Sequence, residues 1–321
     1  MKKIVVIGLG NVGITFTTIA VTRGLEAEYV FIDKNENVCE AHAHDLQDMV
    51  ALMPRNRSTF RKGTFADAKG ADVAIITASI PMKNLTDRLA LAAENAKLMK
   101  HFGDELTKNG FTGVVVVASN PCDVMAAILP YASGIPHHRV ISTGTLLDSA
   151  RLKKFIGEKL NVAADTVQAS VLGEHGASAM VAWSTMKIGD SNLQDLISAG
   201  VIKKDELDEL LVRTVKEGLY IYNLKGNTQF GIGTSLYEIT SAVVNDKRLV
   251  MNVGVKLPKE YKNAGIYTSI PVIVGKNGYE YLPSKVSFNK DELAAFEKST
   301  TALAKVHKDT LGLIDVDVDF K

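Results

Sequence analysis

The sequence predicts an α/β protein in which a doubly wound parallel sheet is followed by an α+β unit. Two patterns predict it. From the N-terminus to about Gly144, short runs rich in Val and Ile alternate with stretches of helical character. Each run is apolar on consecutive positions, as strands buried on both faces must be. Beyond Gly144 the alternation stops, and long amphipathic helices mix with isolated strand candidates. The expected units are therefore 1–144 and 145–321, in keeping with 321 residues at roughly 150 per domain.

Taken in order, the strand candidates of the first unit are 4–7, 29–32, 72–77, 113–118 and the shorter 140–142. Between the first two, 11–23 reads as a helix ended by Gly24, a residue suited to a left-handed C-cap. A longer helical stretch, 86–106, stops before Asn109-Gly110. In the second unit, 204–224 carries Leu207, Leu210, Leu211, Val215 and Tyr222 at helical spacing, with Gly218 as a possible kink. Residues 267–274 form a strand candidate, 275–278 a turn, and 291–308 an amphipathic helix with Leu293, Phe296, Leu303 and Val306 on one side. The end, 314–320, alternates apolar residues with Asp315, Asp317 and Asp319, a strand-like pattern with no evident partner.

Composition narrows the function classes. Lys and Arg number 37 against 36 Asp and Glu, so no basic field suggests nucleic acid. Only Cys39 and Cys122 occur, which excludes a disulfide framework and a paired-cysteine metal site. No apolar run approaches the roughly 18 residues a membrane span needs. The opening MKKIVVIGLG is too short and too glycine-broken for a signal peptide, so a cytoplasmic location is expected. His42 with His44, and His137 with His138, have the look of metal pairs but lack matching partners. They read as surface residues, and no metal is expected.

The first chemical motif is Gly8-Leu9-Gly10-Asn11-Val12-Gly13, a G-x-G-x-x-G directly after a strand and opening a helix. Gly8 permits the tight turn, Gly10 lets backbone approach a pyrophosphate, and Gly13 lets helix and strand pack closely. The helix N-terminus offers free N–H groups to phosphates. Asp33 ends the second strand 20 residues after Gly13, placed to accept hydrogen bonds from a ribose hydroxyl and to repel a 2′-phosphate. This is the Rossmann pattern, and it favours NAD over NADP. A glycine turn without a ligand is the plainer alternative.

Three further stretches follow: Ser119-Asn120-Pro121, then 144–151 reading GTLLDSAR, then Gly173-Glu174-His175-Gly176. Asp148 and Arg151, three apart, share a helix face, which by itself also suits a surface ion pair. His175 by itself also suits a hydrogen-bonded core histidine, although its flanking glycines let a ligand come close. With these strings the chain resembles the lactate/malate dehydrogenase family of L-2-hydroxy acid dehydrogenases. The resemblance runs nearly end to end, through GLGNVG, DLQ (Asp45 to Gln47), SNP, LDSAR, GEHG and KGNT (Lys225 to Thr228). TGTLLDSAR, VAWST and KGNT with a following GIGTS resemble most the bacterial L-2-hydroxyisocaproate dehydrogenase branch. Lactate dehydrogenases proper usually carry Asn at the position of Leu146.

The resemblance implies roles. His175 becomes the proton donor to a 2-oxo acid and the base in the reverse direction. Asp148 holds the second ring nitrogen, and Arg151 clamps the substrate carboxylate through two parallel hydrogen bonds. Arg88 polarises the reacting carbonyl, and the polar 79–87 stretch aligns with a mobile lid. Asn120 positions the substrate oxygen or the nicotinamide ribose, and Thr228 lines the substrate end. Ala78, Ser79 and Ala118 join Gly8, Gly10, Asn11, Val12, Gly13, Asp33 and Asn120 around NAD. Ser79 stands where the family usually has glycine. The resemblance also implies a homodimer or homotetramer, with the helix bearing Asp45–Gln47 at the subunit contact.

Met82 falls where the resemblance places the reader of the substrate side chain. Methionine cannot pair a second carboxylate, which disfavours malate. It accepts an alkyl or aromatic group, each buried methylene adding about 0.8 kcal/mol. The expected activity is thus NAD-dependent dehydrogenation of L-2-hydroxy acids with a preference for larger, 2-oxoisocaproate-like side chains. The alternative is plain L-lactate dehydrogenase; malate dehydrogenase and a non-catalytic NAD-binding protein are lesser readings.

Overall fold

The computed structural model describes residues 1–80 and 88–320, with side chains of the helix beginning at Arg88 described from residue 90. The chain builds a nine-stranded sheet whose order is β14-β13-β12-β6-β5-β4-β1-β2-β3. Six strands are parallel: β1 (Lys2–Ile7), β2 (Ala27–Ile32), β3 (Thr59–Lys62), β4 (Val73–Ile76), β5 (Val114–Val117) and β6 (Val140–Ser142). Their order, 3-2-1-4-5-6, reverses direction between β1 and β4, which opens a crevice at the carboxyl ends of those strands. β4 and β5 read VAII and VVVV and are buried at every position, because helices cover both faces.

Those helices are α1 (Asn11–Thr22), α2 (Glu36–Ala51), α3 (Arg88–Lys108) and α4 (Cys122–Ser133). From α5 (Leu146–Leu160) onward the chain crosses to a second layer. Short strands β7 (Val167–Gln168), β8 (Val171–Leu172), β9 (Met180–Val181), β10 (Lys187–Ile188) and β11 (Ser191–Asn192) form two small antiparallel sheets. Helices α6 (Leu193–Ser198), α7 (Asp205–Lys225) and α8 (Phe230–Val244) follow. Leu152, Phe155, Val171, Val181, Met186 and Leu207 gather in a separate apolar core there.

The chain then returns to the main sheet. β12 (Leu249–Lys256), β13 (Tyr267–Gly275) and β14 (Gly278–Tyr281) form an antiparallel meander joined to β6 through Gly254 opposite Ser142. α9 (Lys290–Gly312) is started by a capping box between Asn289 and Glu292. α8 lies close against α1: a Cβ on Gly233 would sit 2.8 Å from Thr15 Cγ2. The two parts of the chain therefore share one sheet and one large core.

Two expectations are corrected. Gly218 does not kink its helix, since α7 runs unbroken from Asp205 to Lys225. The 314–320 segment is not a strand. Its alternation is satisfied by one-sided packing, with Val316, Val318 and Phe320 partly buried against the core and the aspartates exposed. Phe320 turns its ring edge-on to Tyr131 and His307 at 6.0 and 5.8 Å. No helix among the described residues is long and apolar enough to cross a membrane.

Candidate active site

The glycine loop joins β1 to α1 at the crevice. Gly8 has φ +97°, a left-handed conformation, and a Cβ there would lie 2.5 Å from Ala78 N. A Cβ on Gly13 would lie 2.1 Å from the Gly8 carbonyl oxygen, so the first turn of α1 folds tightly over the strand end. Gly10 caps the helix, and a Cβ there meets nothing within 4 Å. The loop is thus tight toward the protein and open toward the crevice, the shape a pyrophosphate needs. Asp33 accepts from Leu9 N–H at 2.8 Å and from Asn35 N–H at 3.0 Å, tying the end of β2 to the glycine loop. Asn11 and Ser79 are exposed at the crevice, and Val12, Ala78 and Ala118 are partly buried. Ser119 Oγ donates to the Ala78 carbonyl at 2.6 Å, joining the loops after β4 and β5.

Across the crevice, α5 presents Asp148 and Arg151 one turn apart. Asp148 Oδ2 accepts from His175 Nδ1 at 2.6 Å, and Oδ1 accepts from Arg151 Nη1 at 3.1 Å. Asp148 is only 5% exposed, so this is no surface ion pair. The remaining N–H groups of Arg151 and the Nε2 of His175 have no partner among the described residues, and both side chains line the same cleft. Burial pulls the His175 imidazole down, but the Asp148 hydrogen bond and the charges of Asp148 and Asp123 raise it above the ordinary histidine value. His175 is held on its loop by backbone pairing of Gly173 with Ser269 and by Glu174 N–H donating to Ser299 Oγ at 3.0 Å.

The cleft encloses about 300 Å³. Asn120, Asp148, Arg151, His175 and Thr228 supply its polar wall, and Leu147, Val215, Leu219 and Ile232 its apolar one. Val12 and Ala118 close the end toward the glycine loop. The apolar wall, with Gly218 beneath the Arg151 guanidinium, is part of the site that sequence reasoning missed. A Cβ on Gly218 would lie 3.4 Å from Arg151 Nη2, so the glycine makes room for the guanidinium rather than bending α7. Asp123 was missed as well. A lone carboxylate in the apolar run CDVMAAIL was its signal, and it is buried beside His175. Met82 lies outside the described residues, and so does the Arg88 side chain.

The remaining histidines stand apart from the cleft. His44 and His138 are exposed, but His137 is half-buried, its ring 4.9 Å from Tyr131 and its Nδ1 3.2 Å from the Tyr267 hydroxyl. The surface reading of His137 is therefore corrected: it packs in an aromatic cluster. Among the described residues no group of three or more His, Cys, Asp or Glu is arranged to hold a metal ion.

The lactate/malate dehydrogenase NAD-binding domain matches residues 2–142, and the lactate/malate dehydrogenase alpha/beta C-terminal domain matches residues 145–312. The chain belongs to the lactate/malate dehydrogenase family. It is 42% identical over 320 residues to an L-lactate dehydrogenase of Mycoplasmoides gallisepticum, covering 98% of this chain and 99% of that one. An "L-lactate dehydrogenase 1" of Bacillus cereus is 32% identical over 94% of this chain and 96% of its own. Among solved structures, the minor L-lactate dehydrogenase of Enterococcus mundtii superposes with a TM-score of 0.92 at 32% identity, over 99% of both chains. The malate dehydrogenase of Picrophilus torridus gives 0.89 at 28% identity, over 98% of both. As a member of this family the protein is an oxidoreductase of lactate dehydrogenase type with NAD as cofactor. The open Gly10 edge and the Asp33 carboxylate are compatible with that cofactor.

Proposed function

We propose that the protein interconverts pyruvate and L-lactate, taking electrons from or giving them to NAD. One observation carries this reading: the linked row His175–Asp148–Arg151 faces, across a single cleft, the loop end at which a dinucleotide binds. The names of relatives matched over nearly their whole length favour pyruvate over the larger 2-oxo acids expected from Met82.

Residues 1–144 form the cofactor unit and 145–321 the substrate-binding and catalytic unit, with Arg88 and Asn120 meeting the substrate from the first. Bound NADH supplies the hydride to the carbonyl carbon. Arg151 uses the N–H groups that have no partner among the described residues to grip the substrate carboxylate, a match of planar fork to planar acid. His175 Nε2–H donates the proton to the developing alkoxide, while Asp148 keeps Nδ1 as the donor and stabilises the imidazolium. In the reverse direction neutral Nε2 takes the hydroxyl proton of lactate. Arg88 polarises the carbonyl, Asn120 orients the substrate oxygen or the nicotinamide ribose, and Thr228 borders the substrate. With no cation for a second carboxylate at Met82, oxaloacetate and malate are poor substrates.

The apolar wall of Leu147, Val215, Leu219 and Ile232 favours a second reading, in which larger 2-oxo acids are also turned over. Such a pocket discriminates sizes by only about 1–3 kcal/mol. The enzyme works as a homodimer or homotetramer in the cytoplasm, with α2 at the subunit contact. The test is NADH oxidation with pyruvate, 2-oxoisocaproate, phenylpyruvate and oxaloacetate. Pyruvate is expected to give the highest kcat/KM and oxaloacetate the lowest. Oxaloacetate as best substrate overturns the pocket reading, and 2-oxoisocaproate as best restores the preference expected from Met82.

A further inference from the structure

We propose that Asp123 is a positioning residue of the acid–base site, fixing the main chain of His175 to the start of α4 and the end of β6 while Asp148 fixes its ring. The proposal rests on the reading of His175 as proton donor. Asp123 lies in the first turn of α4 and is 3% exposed. Its Oδ1 accepts a hydrogen bond from Ser142 Oγ, and its Oδ2 accepts from His175 N–H at 3.5 Å. His175 is thus held at two points by two carboxylates from two helices. One controls where the residue sits and the other controls how its ring is turned.

The surrounding backbone is shaped to admit this carboxylate. Gly254, inside β12, pairs with Ser142. A Cβ on Gly254 would fall 2.0 Å from Asp123 Oδ1 and on top of the Ser142 hydroxyl, so the strand has a gap where the Asp123–Ser142 bond lies. A neutral amide has a single acceptor oxygen and a donating NH2, so it could not accept both hydrogen bonds, and the two donors call for a carboxylate. The carboxylate thus holds the loop through both oxygens, and when ionised its charge also favours the His175 imidazolium, the nearest group that gains from it.

Among the described residues, the charged and titratable groups around this pair are few. Asp148 and Arg151 face His175 from α5, Glu174 lies on its own loop, and Asp123 faces it from α4. Asp123 itself has the Cys122 thiol beside it and His307 of α9 against its main chain. Burial pushes the Asp123 carboxyl up to about 6, against the Ser142 hydrogen bond and the His175 charge and N–H that pull it down. Above that pH it is a second negative charge beside the imidazolium.

The test is the pH profile of kcat/KM for pyruvate reduction in Asp123→Asn, with NADH affinity followed separately by fluorescence. The alkaline limb is expected to move to lower pH by about one unit, with kcat at the optimum reduced about tenfold and NADH Kd within twofold. A limb that stays in place, or kcat and NADH affinity lost in parallel, overturns the proposal. Should Asp123→Asn fail to fold, Ser142→Ala keeps the carboxyl but removes its hydroxyl partner. It is expected to move the limb in the same direction by less, and an unmoved limb overturns the proposal equally. His175→Asn separates the two levels of inference. If it keeps turnover, the reading of His175 as proton donor fails. If it abolishes turnover while Asp123→Asn leaves the limb unmoved, only the role of Asp123 fails.

Discussion

Arg151 shows how one side chain depends on what is absent beside it. Among the described residues its guanidinium is bound through Nη1 alone, and it lies over Gly218 at a distance that only a small residue permits. The sequence pattern 204–224 suggested a kink at that glycine because glycine is a poor helix former. The helix tolerates it, and the position serves the neighbour instead. Gly218→Ala adds a methyl group at 3.4 Å from Nη2, an ordinary contact, so the variant should fold and gain up to about 1 kcal/mol of helix stability. Gly218→Val places branched carbons where the guanidinium lies and must displace it. The expected outcome is little change in pyruvate KM for Gly218→Ala and at least about tenfold higher KM for Gly218→Val, with NADH Kd unchanged in both. Part of one charge-assisted hydrogen bond, worth about 1.5–3 kcal/mol in all, accounts for that loss. Initial rates against pyruvate concentration, with NADH fluorescence titration alongside, decide it.

At the scale of elements, the β1–loop–α1–β2 unit was almost wholly legible in the sequence. Each of its constraints is local: a glycine for each close approach and an acid at the strand end. The structure adds that Asp33 holds the glycine loop through Leu9 N–H before any ribose arrives. Asp33→Ser is therefore expected to do two things together. It relaxes the exclusion of NADPH, because a 2′-phosphate no longer meets a carboxylate, and it weakens NADH several-fold, because the loop loses a charge-assisted bond. Kd values for both cofactors check this, and a variant that gains NADPH with unchanged NADH affinity removes the loop-holding role. What was illegible in the sequence depends on distant chain. Nothing in 314–320 reveals that Tyr131 and His307 wait to receive Phe320 on one side, which makes its alternation coil and not strand. The apolar wall of the cleft comes from α7 and α8, whose periodicity shows an amphipathic face but not what that face encloses. Asp148, Arg151 and His175 were legible as strings, and their convergence was carried by resemblance and not by spacing.

At the scale of the molecule, β12 to β14 and α9 close the same core that β1 to β6 begin, so groups at this junction report on the stability of the whole. His307 is fully buried on α9. Its Nε2 accepts from Tyr267 N–H at 3.1 Å, and its Nδ1 donates to the Leu303 carbonyl at 2.9 Å. Both nitrogens are committed in the neutral form. Burial lowers its pKa to about 4, against hydrogen bonds to the Leu303 and Asp123 main chains that raise it. In the unfolded chain the same group titrates near 6.5. Between those values the unfolded state binds the proton and the folded state does not, so stability is full above about pH 6.5 and falls as pH drops toward 4. That gap corresponds to on the order of 3 kcal/mol lost by pH 4. Asp123 acts in the opposite sense. Its carboxyl, raised to about 6, favours the folded state at low pH and loses that contribution as pH rises through 6, so the wild-type curve blends the two. His307→Gln isolates the histidine, because a glutamine amide can accept from Tyr267 and donate to Leu303 without titrating. The variant is expected to match or fall slightly below the wild type in Tm at pH 7.5, and to lose much less Tm than the wild type between pH 7 and pH 4.5. Parallel Tm curves for the two proteins across that range would remove His307 from the account of acid sensitivity.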